Sequence, residues 1–284
     1  MNNDKLKENF EEFLYKKFRE LATKTFFDES FYSLKAGGKR LRPLLVLNTS
    51  LKDKLTDDVL YFASAVELIH TYSLIHDDLP CMDDDELRRG KPTSHKVFGE
   101  EKAIFAGINL LNTAFKMISR IEIKDIKNRL KEELVSAAGI HGMVGGQLLD
   151  LFGVEEELNT FDEIEAIHLN KTAKMIMVAV AGAAILKGLT SNEIRDAKES
   201  GIKLGLCFQI VDDILDETGQ EKEIGKPIKS DIKNNKKTAV SVLGLNKAKE
   251  KAKKYIKEAK ESLPTNLKTT DLNELIDFVL ERTH

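Results

Sequence analysis

Between Pro92 and Pro227 the chain contains no proline, and only Pro43, Pro80 and Pro264 interrupt the remainder. Proline breaks a helix interior because it lacks an amide donor and clashes with the preceding turn. Long helices are therefore open to most of this chain. Ala, Leu, Lys and Glu are abundant, β-branched alternation is scarce, and apolar residues recur at helical spacing. The spacing predicts helices near 4–24, 30–50, 56–77, 95–120, 126–150, 162–186, 191–216, 236–260 and 271–281. Ser191-Asn192-Glu193 reads as a helix start. No internal repeat, low-complexity tract or long Gly/Ser or Pro linker divides these segments. One all-α domain over 1–284 is expected, with helices packed around a central core.

A 284-residue chain that is 42% hydrophobic is long enough to bury roughly three quarters of its unfolded surface. Its formal charge of −3 gives no whole-protein attraction to nucleic acid or to an anionic membrane. Two cysteines, Cys81 and Cys207, make no disulfide framework and fit a reducing cytoplasm. The opening MNNDKLKENF lacks the apolar core of a signal peptide. No run approaches about 18 uninterrupted apolar residues, so no transmembrane helix is expected. The expectation is a soluble, cytoplasmic, globular protein.

Against this background the stretch LIHDDLPCMDDDELRRG stands out. Asp77, Asp78, Asp83, Asp84, Asp85 and Glu86 crowd the end of a mostly apolar helix, and Arg88 and Arg89 follow at once. A second cluster, Asp212-Asp213-Ile214-Leu215-Asp216, lies in GLCFQIVDDILDETG. Positions four apart share a helix face, so Asp212 and Asp216 stack, and Gln209 joins them. One such cluster could be a solvated face. Two, each at the end of an apolar helix, call for cations. Hard oxygen ligands suit Mg²⁺, which keeps several waters and bridges a few carboxylates to phosphates. Calcium competes, but the spacing is not that of an EF-hand loop.

Basic groups complement the acids. Gly37-Gly38-Lys39-Arg40-Leu41-Arg42-Pro43 resembles a turn that gathers three cations, without the spacing of a P-loop. Arg suits bidentate phosphate contacts and Lys acts as a point charge. Lys171 with Thr172, Lys226 and Lys236 are further candidates. His70 precedes Asp77 by about two helical turns and should share its face, while Cys81 is a poor ligand for a hard ion. Gly139, Gly142, Gly145 and Gly146 fall in a segment predicted to be helical; they imply close helix packing or room for a ligand. The charged stretch 246–261 reads as a solvated outer helix.

Taken together, SLKAGGKRLRP (33–43), ELIHTYSLIHDDLPCMDDDELRRGKPTSH (67–95), HGMVGGQLLDL (141–151), HLNKTAKMI (168–176), GLCFQIVDDILDETG (205–219) and EIGKPIKSDIKNNKKT (223–238) resemble the trans-isoprenyl diphosphate synthases. The bacterial farnesyl diphosphate synthases are the most similar group. The resemblance implies the isoprenoid synthase fold, an antiparallel helix bundle around a deep central cavity, and a homodimer. It implies several Mg²⁺ ions, with Mn²⁺ able to substitute, and isopentenyl and allylic diphosphates as substrates. By the same resemblance Asp77, Asp83 and Asp212 are metal ligands, supported by Asp78, Asp213 and Asp216. Arg88 matches the contact to the allylic diphosphate. Gly38, Lys39, Arg42, His70 and Arg89 match the isopentenyl diphosphate site, and Lys171, Thr172, Gln209, Lys226 and Lys236 line the allylic substrate. Lys229 stands where a glycine is common, which puts the reach of Lys226 in question. Tyr72 and Ser73, about one turn before Asp77, would form the cavity floor, and an aromatic there goes with a C15 product. The alternatives that share these motifs are a geranylgeranyl diphosphate synthase and a non-catalytic subunit. A calcium-binding or structural helical protein would leave GGKRLRP and the two arginines idle.

Overall fold

The computed structural model of the chain describes residues 3–50, 55–152, 160–219 and 237–281. Helices α1 (Asn3–Leu21), α2 (Phe27–Lys35), α3 (Leu41–Ser50) and α4 (Asp57–Asp77) lead to a short hairpin, β1 (Leu87–Arg88) with β2 (Lys91–Pro92). Next come α5 (Ser94–Phe98), α6 (Glu100–Ser119), α7 (Lys124–Ala138) and α8 (Met143–Phe152). α9 (Phe161–His168) continues through a π-helical segment, Leu169–Ala173, into α10 (Lys174–Leu186). The order ends with α11 (Ser191–Thr218), α12 (Ala239–Leu243), α13 (Leu245–Ser262), a 3-10 turn at Thr265–Leu267 and α14 (Thr270–Glu281). The all-α expectation holds, apart from the two-residue strands of β1 and β2.

Two helices that are apolar on nearly every side form the centre. α4 buries thirteen of its 21 residues and α10 buries ten of its 13; a helix without a polar face belongs inside a protein. α4 packs on α3, α6 and α10, while α10 packs on α3, α7 and α11. α13 covers the far side of α11. As expected for a solvated outer helix, α13 buries a stripe at helical spacing, Ala248, Ala252, Tyr255, Ile256 and Ala259.

Small residues set how closely these helices approach. A Cβ at Gly182 on α10 would lie 2.1 Å from the Phe62 ring of α4. One at Gly201 would lie 2.5 Å from Met177 Cα, and one at Gly205 2.4 Å from Ala173 Cα. α11 thus meets the π segment and α10 backbone to backbone. Of the glycines at 139–146, Gly146 marks close helix packing, since a Cβ there would lie 2.1 Å from the Lys171 amide nitrogen, whereas one at Gly139, Gly142 or Gly145 would meet only the preceding local backbone.

The predicted helices exist, but several are divided. The 30–50 segment breaks at 36–40, and 126–150 breaks between Ala138 and Met143. Segments 95–120 and 236–260 each split at one glycine, where Gly99 takes φ +90° and Gly244 φ +79°. A single glycine inside an amphipathic pattern is also tolerated by a continuous helix, so the periodicity does not reveal the break. The helix predicted from Ser191 is capped by Thr190, whose side chain and Glu193 form a reciprocal capping box. Cys81 is exposed and Cys207 buried, and both are free thiols. The continuous stretch Phe161–Leu186 reaches the length and hydropathy of a membrane span, and 67% of its apolar window is buried inside the molecule.

Gly205→Ala should force α11 away from Ala173. Overpacking of this kind costs about 1–3 kcal/mol, so the melting temperature should fall by roughly 2–10 °C. An unchanged melting curve would contradict the contact between α11 and the π segment.

Candidate active site

A cavity of about 610 Å³ opens between α4, α8, α11, the π segment and the hairpin. Asp77 lies at the C-terminal end of α4 and lines it. The chain then turns through Pro80 and curls back, so that the Asp83 amide donates to the Asp77 carbonyl at 2.9 Å. This turn brings Asp83, six residues on in sequence, beside Asp77 in the cavity wall. Asp212 lines the same cavity from α11, with Gln209 one helical turn before it.

The two aspartate pairs are used differently. Asp77, Asp212 and Asp213 line the cavity, whereas Asp78 does not. Asp78 is 3% exposed, and its Oδ1 accepts from Arg88 Nε at 2.6 Å. Burial pushes the Asp78 carboxyl up to about 7 despite the Arg88 guanidinium, which pulls the other way. Asp213 accepts from Gln209 Nε2 at 3.2 Å and from the Ala239 amide at 2.7 Å. Asp216 is 3% exposed and lies outside the cavity lining. Among the described residues no three ligands already converge as a metal cage. The donor set nevertheless fits Mg²⁺. Asp77, Asp83 and Asp212 are hard oxygen ligands on one cavity, and Mg²⁺ completes its shell with water and phosphate rather than with protein alone.

The hairpin delivers the arginines. Leu87 pairs with Pro92 and Arg88 with Lys91. The two-residue connection, Arg89-Gly90, takes positive φ at both positions, 55° and 73°, as a type I′ turn requires. The two guanidinium groups then diverge. Arg88 bonds Asp78, and its Nη2 reaches Asp85 at 3.0 Å. Arg89 lies over Gly38, where a Cβ would come within 2.6 Å of it, and donates to the Gly37 carbonyl. Arg42 lines the cavity at 8% exposure, and its Nε has no hydrogen-bond partner. Burial lowers the Arg42 guanidinium to about 10, and the Glu67 and Asp212 carboxylates oppose that shift. His70 stands among these cations. Burial, then Arg42 and Arg89, hold its imidazole well below 6.5, so it is neutral near pH 7.

The expected gathering of three cations is only partly realised. Arg40 turns away from the cavity and is 2% exposed. Lys39 is exposed over the Phe278 ring, 5.8 Å from its centroid, and does not line the cavity. Lys226, Lys229 and Lys236 lie outside the described residues.

The π segment carries both Lys171 and Thr172 into the cavity lining. Its extra residue per turn widens the backbone, a distortion often found at functional sites. Lys171 Nζ pairs with Asp150 Oδ2 at 2.6 Å across to α8. Asp150, followed by Asp77 and Asp83, raises the Lys171 ammonium against the effect of burial. Thr172 Oγ1 donates to Gln209 Oε1 at 2.8 Å. Through Asp213 this chain of hydrogen bonds runs on to the start of α12.

Tyr72 and Ser73 both line the cavity, one turn below Asp77. The Tyr72 ring is 9% exposed and meets His76 edge to face at 5.4 Å. His76 Nε2 lies 3.1 Å from the Ile104 carbonyl, and its ring fills the space left by Gly107 on α6. Ile140, Met143 and Val144 extend the apolar wall. Among the lining residues not foreseen are Gln147, Asp150 and His168. Gln147 is 8% exposed with neither amide atom partnered, and His168 Nδ1 is buried without a partner. Gln147 and Asp150 are three apart on α8. The face-sharing rule that joined Gln209 to Asp212 would have found them.

Residues 24–277 match the family model described as polyprenyl synthetase. The chain is 48% identical over 259 residues to the farnesyl diphosphate synthase of Bacillus subtilis (strain 168), across 89% of this chain and 87% of that protein. It is 50% identical over 239 residues to the farnesyl diphosphate synthase of Geobacillus stearothermophilus, across 82% of this chain and 80% of that protein. A crystal structure of a geranyltransferase from Helicobacter pylori complexed with magnesium and isoprenyl diphosphate has a similar fold. Its TM-score is 0.83 and its identity 31%, over 99% of this chain and 97% of that one.

His70 supplies a check on the electrostatics. The unfolded chain binds its proton near 6.5 and the folded chain does so only at lower pH. Stability is therefore complete above pH 6.5 and declines on acidification, by up to about 1.4 kcal/mol per pH unit. His70→Gln should lose less melting temperature than wild type between pH 7 and 5.5. Equal losses would mean that His70 is not held neutral.

Proposed function

Because the chain belongs to the polyprenyl synthetase family, we propose that it is a farnesyl diphosphate synthase. It joins isopentenyl diphosphate to dimethylallyl and then geranyl diphosphate, head to tail, and releases pyrophosphate. One observation carries this reading. Asp77, Asp83 and Asp212 face a single cavity beside Arg42, Arg88, Arg89 and Lys171, above an apolar wall with Tyr72 at its foot. Such a cavity takes a molecule with a polyanionic head and a hydrocarbon tail.

Asp77, Asp83 and Asp212 would hold Mg²⁺ against the allylic diphosphate, with Asp78, Asp213 and Asp216 keeping those carboxylates in place. The ion supplies charge neutralisation for the leaving group. Arg88, Lys171, Lys226 and Lys236 are assigned to the same diphosphate. Gly38, Lys39, Arg42, His70 and Arg89 are assigned to isopentenyl diphosphate.

Reaction begins when the allylic carbon–oxygen bond breaks and the electron pair leaves with pyrophosphate. Arg88 and Lys171 oppose the charge that grows there. The isopentenyl double bond attacks the allylic cation and forms the new carbon–carbon bond. A proton then passes from the adjacent carbon to pyrophosphate. The Thr172 and Gln209 oxygens face the passing cation, and no side-chain nucleophile takes part. The protein supplies orientation and a cavity poor in water, walled by Ile140, Met143, Val144 and Phe208.

The reading extends to the chain as a single domain that works in the cytoplasm as a homodimer. Ile104, Phe105 and Ile108 support the dimer. They form one exposed apolar face of α6, 40%, 49% and 40% accessible, and a face of this kind is usually covered by a partner.

Asp77→Ala or Asp212→Ala should lower turnover by roughly two to four orders of magnitude, the scale of losing a main electrostatic element. Near wild-type turnover in either folded variant would reject the metal bridge. Incubation with isopentenyl and dimethylallyl diphosphates should give mostly C15 product, and Tyr72→Ala should lengthen it. A C20 product from wild type would reject Tyr72 as the floor.

A further inference from the structure

The GGKRLRP turn sends its cations in different directions. Arg42 enters the cavity, and Arg40, two residues earlier, goes into the protein with no exposed side-chain surface. Arg40 takes φ +51°, in the left-handed region that few non-glycine residues adopt. Such a backbone persists only where the surroundings over-determine it.

The surroundings of Arg40 do so. Nε donates to Glu11 Oε1 at 2.9 Å and Nη1 to Glu67 Oε1 at 2.6 Å. Nη2 donates to Tyr15 Oη at 3.2 Å and to the Leu34 carbonyl at 2.7 Å. Four of the five guanidinium N–H donors are thus engaged, by α1, α2 and α4 at once. The guanidinium has no exposed surface and does not line the cavity, so it is not offered to a ligand there. Glu67 is 1% exposed and sits three residues before His70 on α4. Its carboxylate also favours the charged forms of Arg42 and Arg89. At the other end of the turn, Arg89 holds the Gly37 carbonyl.

We propose that Arg40 is a positioning residue. Its clamp on Glu11, Tyr15, Leu34 and Glu67 sets the path of residues 37–42, and so spaces Arg42 and Arg89 to receive the diphosphate of the homoallylic substrate. This rests on the assignment of those two arginines to isopentenyl diphosphate made above. Arg40 acts through its neighbours and touches neither substrate.

The test is Arg40→Lys, which keeps the charge and removes the planar fork. Steady-state kinetics would be measured with each substrate varied against saturating levels of the other. The KM for isopentenyl diphosphate should rise about tenfold, while the KM for geranyl diphosphate and kcat change less than about threefold. A parallel rise in both KM values would mean a general loss of structure and would overturn the proposal. So would unchanged kinetics. If circular dichroism shows Arg40→Lys unfolded, Tyr15→Phe decides. It removes one acceptor at almost constant volume, and should raise only the isopentenyl diphosphate KM, about two- to threefold. No rise there overturns the clamp. Wild type is the control: an inactive wild type overturns the reaction and the clamp together, whereas an active wild type with an unselective variant overturns the clamp alone.

Discussion

A buried guanidinium loses its hydration and must be met by carboxylates or carbonyls. Around this cavity that requirement sorts the acids. Arg88 claims Asp78 and Asp85, Arg40 claims Glu11 and Glu67, and Lys171 claims Asp150. The doubling of aspartates in both motifs then has a physical reason. Neighbours along a helix point about 100° apart, so Asp77 faces the cavity while Asp78 serves the scaffold, and Asp213 lines the cavity beside Asp212 yet is tied to the scaffold as well. That tie is the hydrogen bond it accepts from the Ala239 amide. Arg88 with Asp85 and Lys171 with Asp150 lie in the cavity lining, while Arg40 and its acids stand behind it.

Much of this was legible in the sequence. The scarcity of proline and the apolar spacing predicted the helices, and the two aspartate clusters predicted the wall on which Asp77, Asp83 and Asp212 meet. The breaks were hidden, because Gly99 and Gly244 look the same in a continuous helix as at its end. The direction of Arg40 was hidden for a different reason. Adjacent cations read as one patch, and only the left-handed backbone at Arg40 and the acids brought from α1 and α4 separate it from Arg42. The pairing of Lys171 with Asp150 joins residues 21 apart across two helices, which no local pattern reports.

The cavity holds two opposed environments, one lined by cations and carboxylates and one by apolar side chains, and α4 contributes to both. Its interior residues are buried nearly all round, and its C-terminal end carries Asp77 with Tyr72 one turn beneath. A single helix therefore fixes the distance between the Asp77 carboxylate and the Tyr72 ring.

The π segment has a similar geometric meaning for insertions and deletions. One surplus residue in Leu169–Ala173 lets Lys171 reach α8 while Thr172 reaches α11. Deleting a residue there would restore ordinary helical bonding, with the flanks keeping their faces and the widened turn that aims Lys171 and Thr172 at different helices lost. Lys171 and Thr172 would no longer reach α8 and α11 together. The length of this stretch is thus as constrained as its chemistry, so substitutions should be accepted along it more readily than any change of frame.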